Sequence, residues 1–345
     1  MNNAETKTNV ALIFGGRGQE HNISVKSAKF IYPLIDRDLF RVYPVLISKT
    51  GRWLLCGECD LLPKREVYPA ITRCGGALVA KDELIPIGCA FPVLHGDFGE
   101  DGTVTGALES AGIKYVGPGV RAGAITSDKI YTKIVAEHLG IPTAKWVCGK
   151  GEATSELIDT VRERAEAAFG YPMFIKPSRL GSSIGASVAR SRRDFATSYK
   201  KAAELCDGVV IVEELVDIDF ELECAYFGTK SKQIFTNPGQ IKSGSDFYDY
   251  ESKYVLNTAS VSAEGVSRDI AERINGYARR LCGFLEIRHL SRFDFFLTKS
   301  KDILFNEINT IPGFTEISLY PKLISLAGIS GRELVNTLIT DALSN

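Results

Sequence analysis

Two short segments near the C-terminus carry the residues with the most chemical potential. Arg292-Phe-Asp-Phe-Phe-Leu297 and Ile303-Leu-Phe-Asn-Glu-Ile-Asn309 both alternate polar with apolar residues, the period-2 pattern of half-buried strands. Few residues separate them, so a hairpin is the natural connection. If Lys299 pairs with Asp302 across a turn at Ser300-Lys301, then Asp294 faces Glu307 and Arg292 faces Asn309. Opposed residues have Cβ atoms ~5 Å apart, and two carboxylates placed there repel. Such a pair is either a solvated sheet face or a cation site. The all-oxygen set Asp294, Glu307 and Asn309 suits Mg²⁺, which cancels the repulsion. Arg292 on the same face points to metal-assisted phosphate chemistry.

Other candidates sit in glycine-rich loops. Lys176 is followed by Gly181-Ser-Ser-Ile-Gly185, where small residues let backbone N–H groups approach phosphate oxygens beside a lysine charge. The same loop is equally readable as a surface turn. A G-x-G-x-x-G fingerprint fails after Gly16 and Gly18, because His21 occupies the third glycine position, and no Walker lysine pattern occurs. Any nucleotide site therefore uses another architecture. Of four histidines, His138 and His289 read as structural, whereas His21 and His95 follow core strands. Glu20 stands beside His21, and Glu100-Asp101 follow His95, a grouping that could hold an ammonium group or carry no ligand. Eight cysteines are too few for a disulfide scaffold, and Cys56-x-x-Cys59 lacks a second pair to make a zinc site. They read as reduced thiols.

The elements that must position these residues alternate between strand and helix. Val10-Ala-Leu-Ile-Phe14 reads as a buried parallel strand turning at Gly15-Gly16, followed by a helix over 24–35 and a strand over 41–48. A strand at 91–94, the loop 95–102 and a helix at 104–111 complete a doubly wound α/β unit that closes near 116–119. One helix is expected over 122–138, capped at Gly140. Strands follow at 173–176 and 208–212, the latter ending in Glu213-Glu214. Residues 242–254 are polar and tyrosine-rich and read as a functional loop. A length of 345 residues implies two or three domains, and 45% hydrophobic with 24% charged residues is the composition of a folded, water-soluble protein. The net charge of −1 argues against nucleic-acid binding through a large basic field. No run approaches the ~20 apolar residues of a membrane span, and no secretory pattern opens the chain. A cytoplasmic location is expected.

Taken in order, these segments resemble the D-alanine–D-alanine ligase family, whose fold is ATP-grasp. The matching stretches are Phe14-Gly-Gly-Arg-Gly-Gln-Glu-His21, His95-Gly-Asp-Phe-Gly-Glu-Asp-Gly102, Asp128-Lys129 and Lys176-Pro-Ser-Arg-Leu-Gly-Ser-Ser-Ile-Gly185. Phe247-Tyr-Asp-Tyr-Glu-Ser-Lys-Tyr254 and Asn306-Glu-Ile-Asn-Thr-Ile-Pro-Gly-Phe-Thr315 continue the series. The resemblance implies an α/β chain, α+β in its C-terminal half, in three domains: a Rossmann-like substrate domain over 1–121, a small central domain over 122–213, and a C-terminal domain over 214–345. The last two would clasp ATP.

The resemblance also implies roles. Lys129, Lys176 and Ser183 would contact ATP phosphates, with Lys253 at the γ-phosphate. Glu213 and Glu214 would lie at the adenine and Glu221 at the ribose, with Val216 also binding ATP. Asp294, Glu307 and Asn309 would hold two Mg²⁺ ions, which Mn²⁺ can replace. Glu20 would bind the first D-alanine's ammonium near His95, joined to Ser182 and Tyr254. Arg292 and the Gly313 N–H would stabilise an oxyanion, and Ser318 and Leu319 would receive the second substrate. The implied reaction is ATP-dependent joining of two D-alanines through an acyl phosphate, for peptidoglycan precursors, by a cytoplasmic homodimer with no nucleic-acid or membrane partner. Family enzymes that put D-lactate second generally lack the tyrosine matching Tyr254, and those preferring D-serine often carry arginine at the position of Leu319. Thr105, Asn22 and Gln240 depart from common family residues, and 216–221 is one residue longer than usual. Alternatives are a D-alanine–D-serine or D-lactate ligase, another ATP-grasp ligase, or a non-catalytic nucleotide-binding regulator.

Overall fold

The computed structural model describes residues 7–58, 61–71, 75–81, 83–242, 260–262 and 266–344. Strands β1 (Thr8–Gly15), β2 (Phe40–Ile47), β3 (Trp53–Cys56) and β4 (Pro63–Glu66) open the chain. A small antiparallel sheet of β5 (Tyr68–Ala70), β6 (Ala77–Ala80) and β7 (Glu83–Pro86) follows, and then β8 (Cys89–Leu94) and β9 (Lys114–Tyr115). The first sheet has the order β4-β3-β2-β1-β8-β9, parallel from β2 to β9 and antiparallel at its β3-β4 edge. β1 lies inside this sheet with both faces covered. Val10, Leu12 and Phe14 enter one core, while Ala11 and Ile13 enter the other. Burial on both faces is why β1 is a continuous apolar run.

The two cores explain how the chain closes. Helix Thr103–Ser110 covers one face through Val104 and Leu108. Helix His21–Ile31 covers the other, together with helices Leu319–Leu326 and Gly331–Ser344 from the far end of the chain. Tyr320, Leu323, Leu334 and Leu338 thus share one core with residues of the first strand.

The central sheet runs β10 (Trp146–Gly149), β13 (Val210–Glu214), β11 (Met173–Pro177), β12 (Ser187–Ala189), all antiparallel. Helices Ser155–Ala168 and Arg192–Glu204 fill its core through Ile158, Val161, Phe195 and Tyr199. The third sheet contains β14 (Ile218–Gly228), β15 (Gln233–Phe235), β16 (Gly239–Lys242), β17 (Ser260–Ser262), β18 (His289–Thr298) and β19 (Ile303–Asn309). Helix Arg268–Leu285 packs beneath it. No described helix is long and apolar enough to cross a membrane.

Several expectations need correction. The helix expected over 122–138 is two, Val120–Thr126 and Lys129–His138. Asp128 breaks it by adopting an extended backbone, and its carboxylate accepts the Ile130 N–H as an N-cap. The first helix starts earlier than expected and ends at Ile31, after which Pro33 sits in a 3₁₀ turn, Tyr32–Leu34. β13 ends in Glu213-Glu214 as expected but begins at Val210 instead of Gly208. The hairpin turn is a three-residue loop, because the Thr298 N–H donates to Asp302 O and Lys301 takes a left-handed φ of 70°. A bulge at Asn306 then restores the register, so Asp294 still faces Glu307 and Arg292 still faces Asn309.

His289 ties the end of the chain to this frame. It is 1% exposed, and the Gly117 N–H donates to its Nδ1 at 2.9 Å. Gly117 O also lies 3.2 Å from Nδ1, and Nε2 faces Asp341 Oδ2 of the last helix at 3.4 Å. Burial, helped by the neighbouring Arg288, pushes the imidazole down to about 4, and Asp341 opposes the shift. The unfolded chain takes up this proton near pH ~6.5, so folding stability is lost as pH falls from there towards 4. In His289→Gln that acid limb should be flatter in urea melts taken across the same window. Equal slopes for both proteins would remove His289 from this role.

Candidate active site

Backbone register assembles the site's electrostatic centre. Glu223 of β14 pairs with Asp294 of β18, which pairs with Glu307 of β19, giving a row of three carboxylates across adjacent strands. The next row is Ala225, Arg292 and Asn309. The Arg292 guanidinium donates from Nε to Asp294 Oδ1 at 2.8 Å and from Nη2 to Oδ2 at 2.7 Å. The Nε also lies 3.0 Å from Glu223 Oε2. Asn309 Nδ2 donates to Asp294 Oδ2 at 3.1 Å, and Lys129 Nζ lies 3.5 Å from Glu307 Oε2. Among the described residues no group of three or more His, Cys, Asp or Glu gathers as a metal site. The available set is therefore two opposed carboxylates and the Asn309 amide oxygen. These are hard oxygen donors of the kind Mg²⁺ takes, with Arg292 and Lys129 already offsetting part of their charge.

A second cluster lies behind this one. Lys176 Nζ and Lys133 Nζ hold the two oxygens of Glu213 at 2.8 and 2.9 Å. Burial works to raise the Glu213 carboxyl, but the two ammonium groups outweigh it and hold the pKa at about 2. Burial lowers the Lys176 ammonium, with Glu213 opposing. Lys133 was not among the sequence candidates. Its signal was the spacing of four from Lys129 on one helix face. Glu214, on the other face of β13, accepts the Lys145 N–H at 2.9 Å.

The glycine- and serine-rich loop meets the N-terminal unit at one carboxylate. Glu20 precedes helix His21–Ile31 but makes no side-chain cap to it. Its Oε1 instead accepts the Ser182 hydroxyl at 2.8 Å. Ser182 and Ser183 both hold left-handed φ values, 54° and 57°, unusual for residues with a Cβ. Gly96 has φ +68°, and a Cβ there would collide with Glu20 Oε2. His21 turns away from the cleft, with Nδ1 against Gly16 O at 2.7 Å.

His95 fixes the loop that carries Gly313. Nδ1–H donates to Ile311 O at 3.0 Å, which makes Nε2 the acceptor from Ser27 Oγ at 3.1 Å. Ser27 Oγ in turn accepts the Phe314 N–H at 3.3 Å. Glu100 Oε1 stands 3.8 Å from the same ring, and burial pushes its carboxyl above the usual range. Ser318 Oγ accepts the Thr315 N–H at 2.9 Å, and a Cβ on Gly313 would lie only 2.9 Å from that oxygen. Leu319, at the start of the next helix, is buried.

One cleft brings together Glu20, His95, Lys129, Ser182, Glu223, Arg292, Glu307, Asn309, Gly313, Ser318 and Leu319. Asp294, paired with Arg292, does not itself line this cleft. Lys176, Ser183, Glu213, Glu214, Val216 and Glu221 do not line this cleft, while Lys253 and Tyr254 fall outside the described residues. Glu223, like the lining residues Asp97 and Arg179, was missed, and its place depends on pairing with a strand some seventy residues on.

Comparison with known proteins agrees with this architecture. The D-ala D-ala ligase N-terminus model matches residues 9–118, and the D-ala D-ala ligase C-terminus model matches residues 135–340. The D-alanine–D-alanine ligase of Caldicellulosiruptor bescii is 39% identical, covering 98% of this chain and 96% of that protein. The crystal structure of D-alanyl-alanine synthetase A from Vibrio cholerae superposes with a TM-score of 0.87 at 32% identity, covering 99% of each chain. The VanG D-Ala:D-Ser ligase from Enterococcus faecalis gives 0.86 at 31% identity, covering 98% of this chain and all, 100%, of that one.

The contact of Gly96 with Glu20 yields a direct test. Gly96→Ala should displace the Glu20 carboxylate and break its bond to Ser182. A lost bond to a charged group is worth ~1.5–3 kcal/mol, so amide exchange in the 181–185 loop should rise about tenfold or more. Unchanged exchange would show that the loop does not depend on Glu20.

Proposed function

The chain belongs to the D-alanine–D-alanine ligase family, and we propose that it joins two D-alanine molecules using ATP, supplying a peptidoglycan precursor. What supports this most is that Glu20, Arg292, Glu307 and Gly313, from distant segments, line a single cleft. In this reading the Glu20 carboxylate holds the ammonium of the first D-alanine, and Ser182 fixes its orientation. Lys129, Lys176, Ser183 and Lys253 hold the phosphates of ATP, while Glu213, Glu214, Val216 and Glu221 border its nucleoside. Asp294, Glu307 and Asn309 would hold two Mg²⁺ ions, or Mn²⁺, whose charge offsets that developing on the transferred phosphoryl group.

The first D-alanine's carboxylate oxygen attacks the γ-phosphorus, ADP leaves, and an acyl phosphate results. The second D-alanine, as its free amine, attacks the acyl carbon. Arg292 and the Gly313 N–H stabilise the resulting oxyanion before the bond to phosphate breaks. The acyl phosphate must be kept from water, a task assigned to residues 242–254 with Tyr254. The second substrate lies against Ser318 and Leu319. We assign the enzyme to the cytoplasm as a homodimer.

The reading is tested by ATP-dependent phosphate release with D-alanine. Glu307→Gln should abolish it while leaving the circular dichroism spectrum and melting curve unchanged. Near-normal release at ordinary Mg²⁺ would remove Glu307 from the metal site.

Leu319 decides the second substrate. A D-serine hydroxyl facing this buried leucine loses water hydrogen bonds without replacement, costing ~1–3 kcal/mol, or roughly 5- to 150-fold in selectivity. With D-alanine and D-serine at equal concentration, D-alanyl-D-alanine should therefore dominate the products. Predominance of the mixed dipeptide would favour a D-alanine–D-serine ligase, the activity named for the Enterococcus structure.

A further inference from the structure

We propose that Glu223 is a positioning residue that keeps the Arg292 guanidinium aimed into the cleft. The inference rests on the reading of Arg292 as the oxyanion donor. Glu223 is 2% exposed, on a strand interior to the third sheet, and a carboxylate buried there needs a fixed cationic partner. Arg292 supplies such a charge, with Nε 3.0 Å from Glu223 Oε2. Register puts the contact within reach. Ala225 lies opposite Arg292 and Glu223 opposite Asp294, so the two side chains are diagonal neighbours on one sheet face.

The arginine is shared between two acids. Its Nε carries one hydrogen, which Asp294 Oδ1 accepts at 2.8 Å, while Glu223 stands beside the same nitrogen. Asp294 has a second duty in the proposed reaction, as a cation ligand, and each oxygen it gives to a cation weakens its grip on the guanidinium. Glu223 has no such duty in the proposed reaction. It belongs to a different strand and keeps its charge beside Nε whatever Asp294 engages. The site can therefore use Asp294 without freeing the arginine to swing, and an oxyanion donor must be held in place before the reaction to be effective.

Phosphate release by Glu223→Gln, Glu223→Asp, Arg292→Ala and the Glu223→Gln/Arg292→Ala double variant tests this, with ADP binding measured by calorimetry. Glu223→Gln should lower kcat about tenfold, with both substrate KM values and ADP affinity within about twofold of the parent. Glu223→Asp, which keeps the charge on a shorter stem, should fall between the two. On the Arg292→Ala background Glu223→Gln should cost less than about twofold more, because the group it positions is already gone. The inference is overturned by a Glu223→Gln kcat within twofold of the parent, or by losses that multiply in the double variant, the mark of a general structural role. If Glu223→Gln does not fold, Glu223→Asp must still lose kcat without a change in KM, and an unchanged kcat overturns the inference. A slow Arg292→Ala beside a normal Glu223→Gln refutes only the role of Glu223. A normal Arg292→Ala refutes the reading of Arg292 itself, and this inference with it.

Discussion

Asp294 and Glu307 face each other across β18 and β19, and like charges held that close destabilise a sheet unless cations stand beside both. Arg292 does this for Asp294 from the same strand, and Lys129 does it for Glu307 from a different part of the chain. Much of the site follows from bringing Lys129 there. The helix break at Asp128 makes Lys129 the first residue of a new helix, with its backbone N–H on Ser178 O and its Nζ on Leu180 O. The glycine- and serine-rich loop is thereby hung from the residue that compensates Glu307. Phe305 N–H to Pro142 O, at 2.7 Å, then fixes the far end of that helical segment to β19.

The opposite wall of the cleft depends on long-range packing. Among the described residues the segment 311–315 pairs with no strand, and it is held by His95 and Ser27 from the N-terminal sheet and helix. That works only because helices Leu319–Leu326 and Gly331–Ser344 pack the end of the chain onto β1 and its neighbours. Tyr320 joins the two halves again, donating its hydroxyl to Tyr226 O at 3.0 Å. A core mutation in this shared layer should therefore move Gly313 relative to Glu20. The site's precision is a property of global packing, not of any one loop.

What the sequence made legible follows physical range. The alternation in 292–297 and 303–309 is local, so the opposed carboxylates could be read from periodicity. Even so, the turn was misplaced by one residue, and the Asn306 bulge happened to compensate. Neither Lys301 in a left-handed conformation nor a bulge at asparagine announces itself in composition. The Asp128 break was hidden because the apolar pattern runs on across it, although an aspartate two residues before Ile130 is a capping signal in hindsight. β5 to β7 escaped notice because they are short and carry Pro69 and Pro86, residues that usually demote a strand. Glu223 required a pairing between β14 and β18 that no local pattern encodes. Family resemblance supplied roles for Glu20, Gly313 and Ser318 that residue type alone left open.

Lys133 shows how burial reverses the ordinary reading of a charge. A lysine on an amphipathic helix is normally solvated, yet this one is 1% exposed and lies 2.9 Å from Glu213. The cluster of Lys133, Glu213 and Lys176 carries two positive charges against one negative. If only Lys176 faced Glu213, turning the lysine towards a phosphate would strand a buried carboxylate, and an uncompensated buried charge is strongly unfavourable. With Lys133 on the other oxygen, Glu213 keeps a partner either way. The same arrangement recurs around Arg292, where two acids share one cation. In both places a charged group that the proposed reaction would engage has a neighbour with a second partner, so that engaging it would leave no charge alone in the interior.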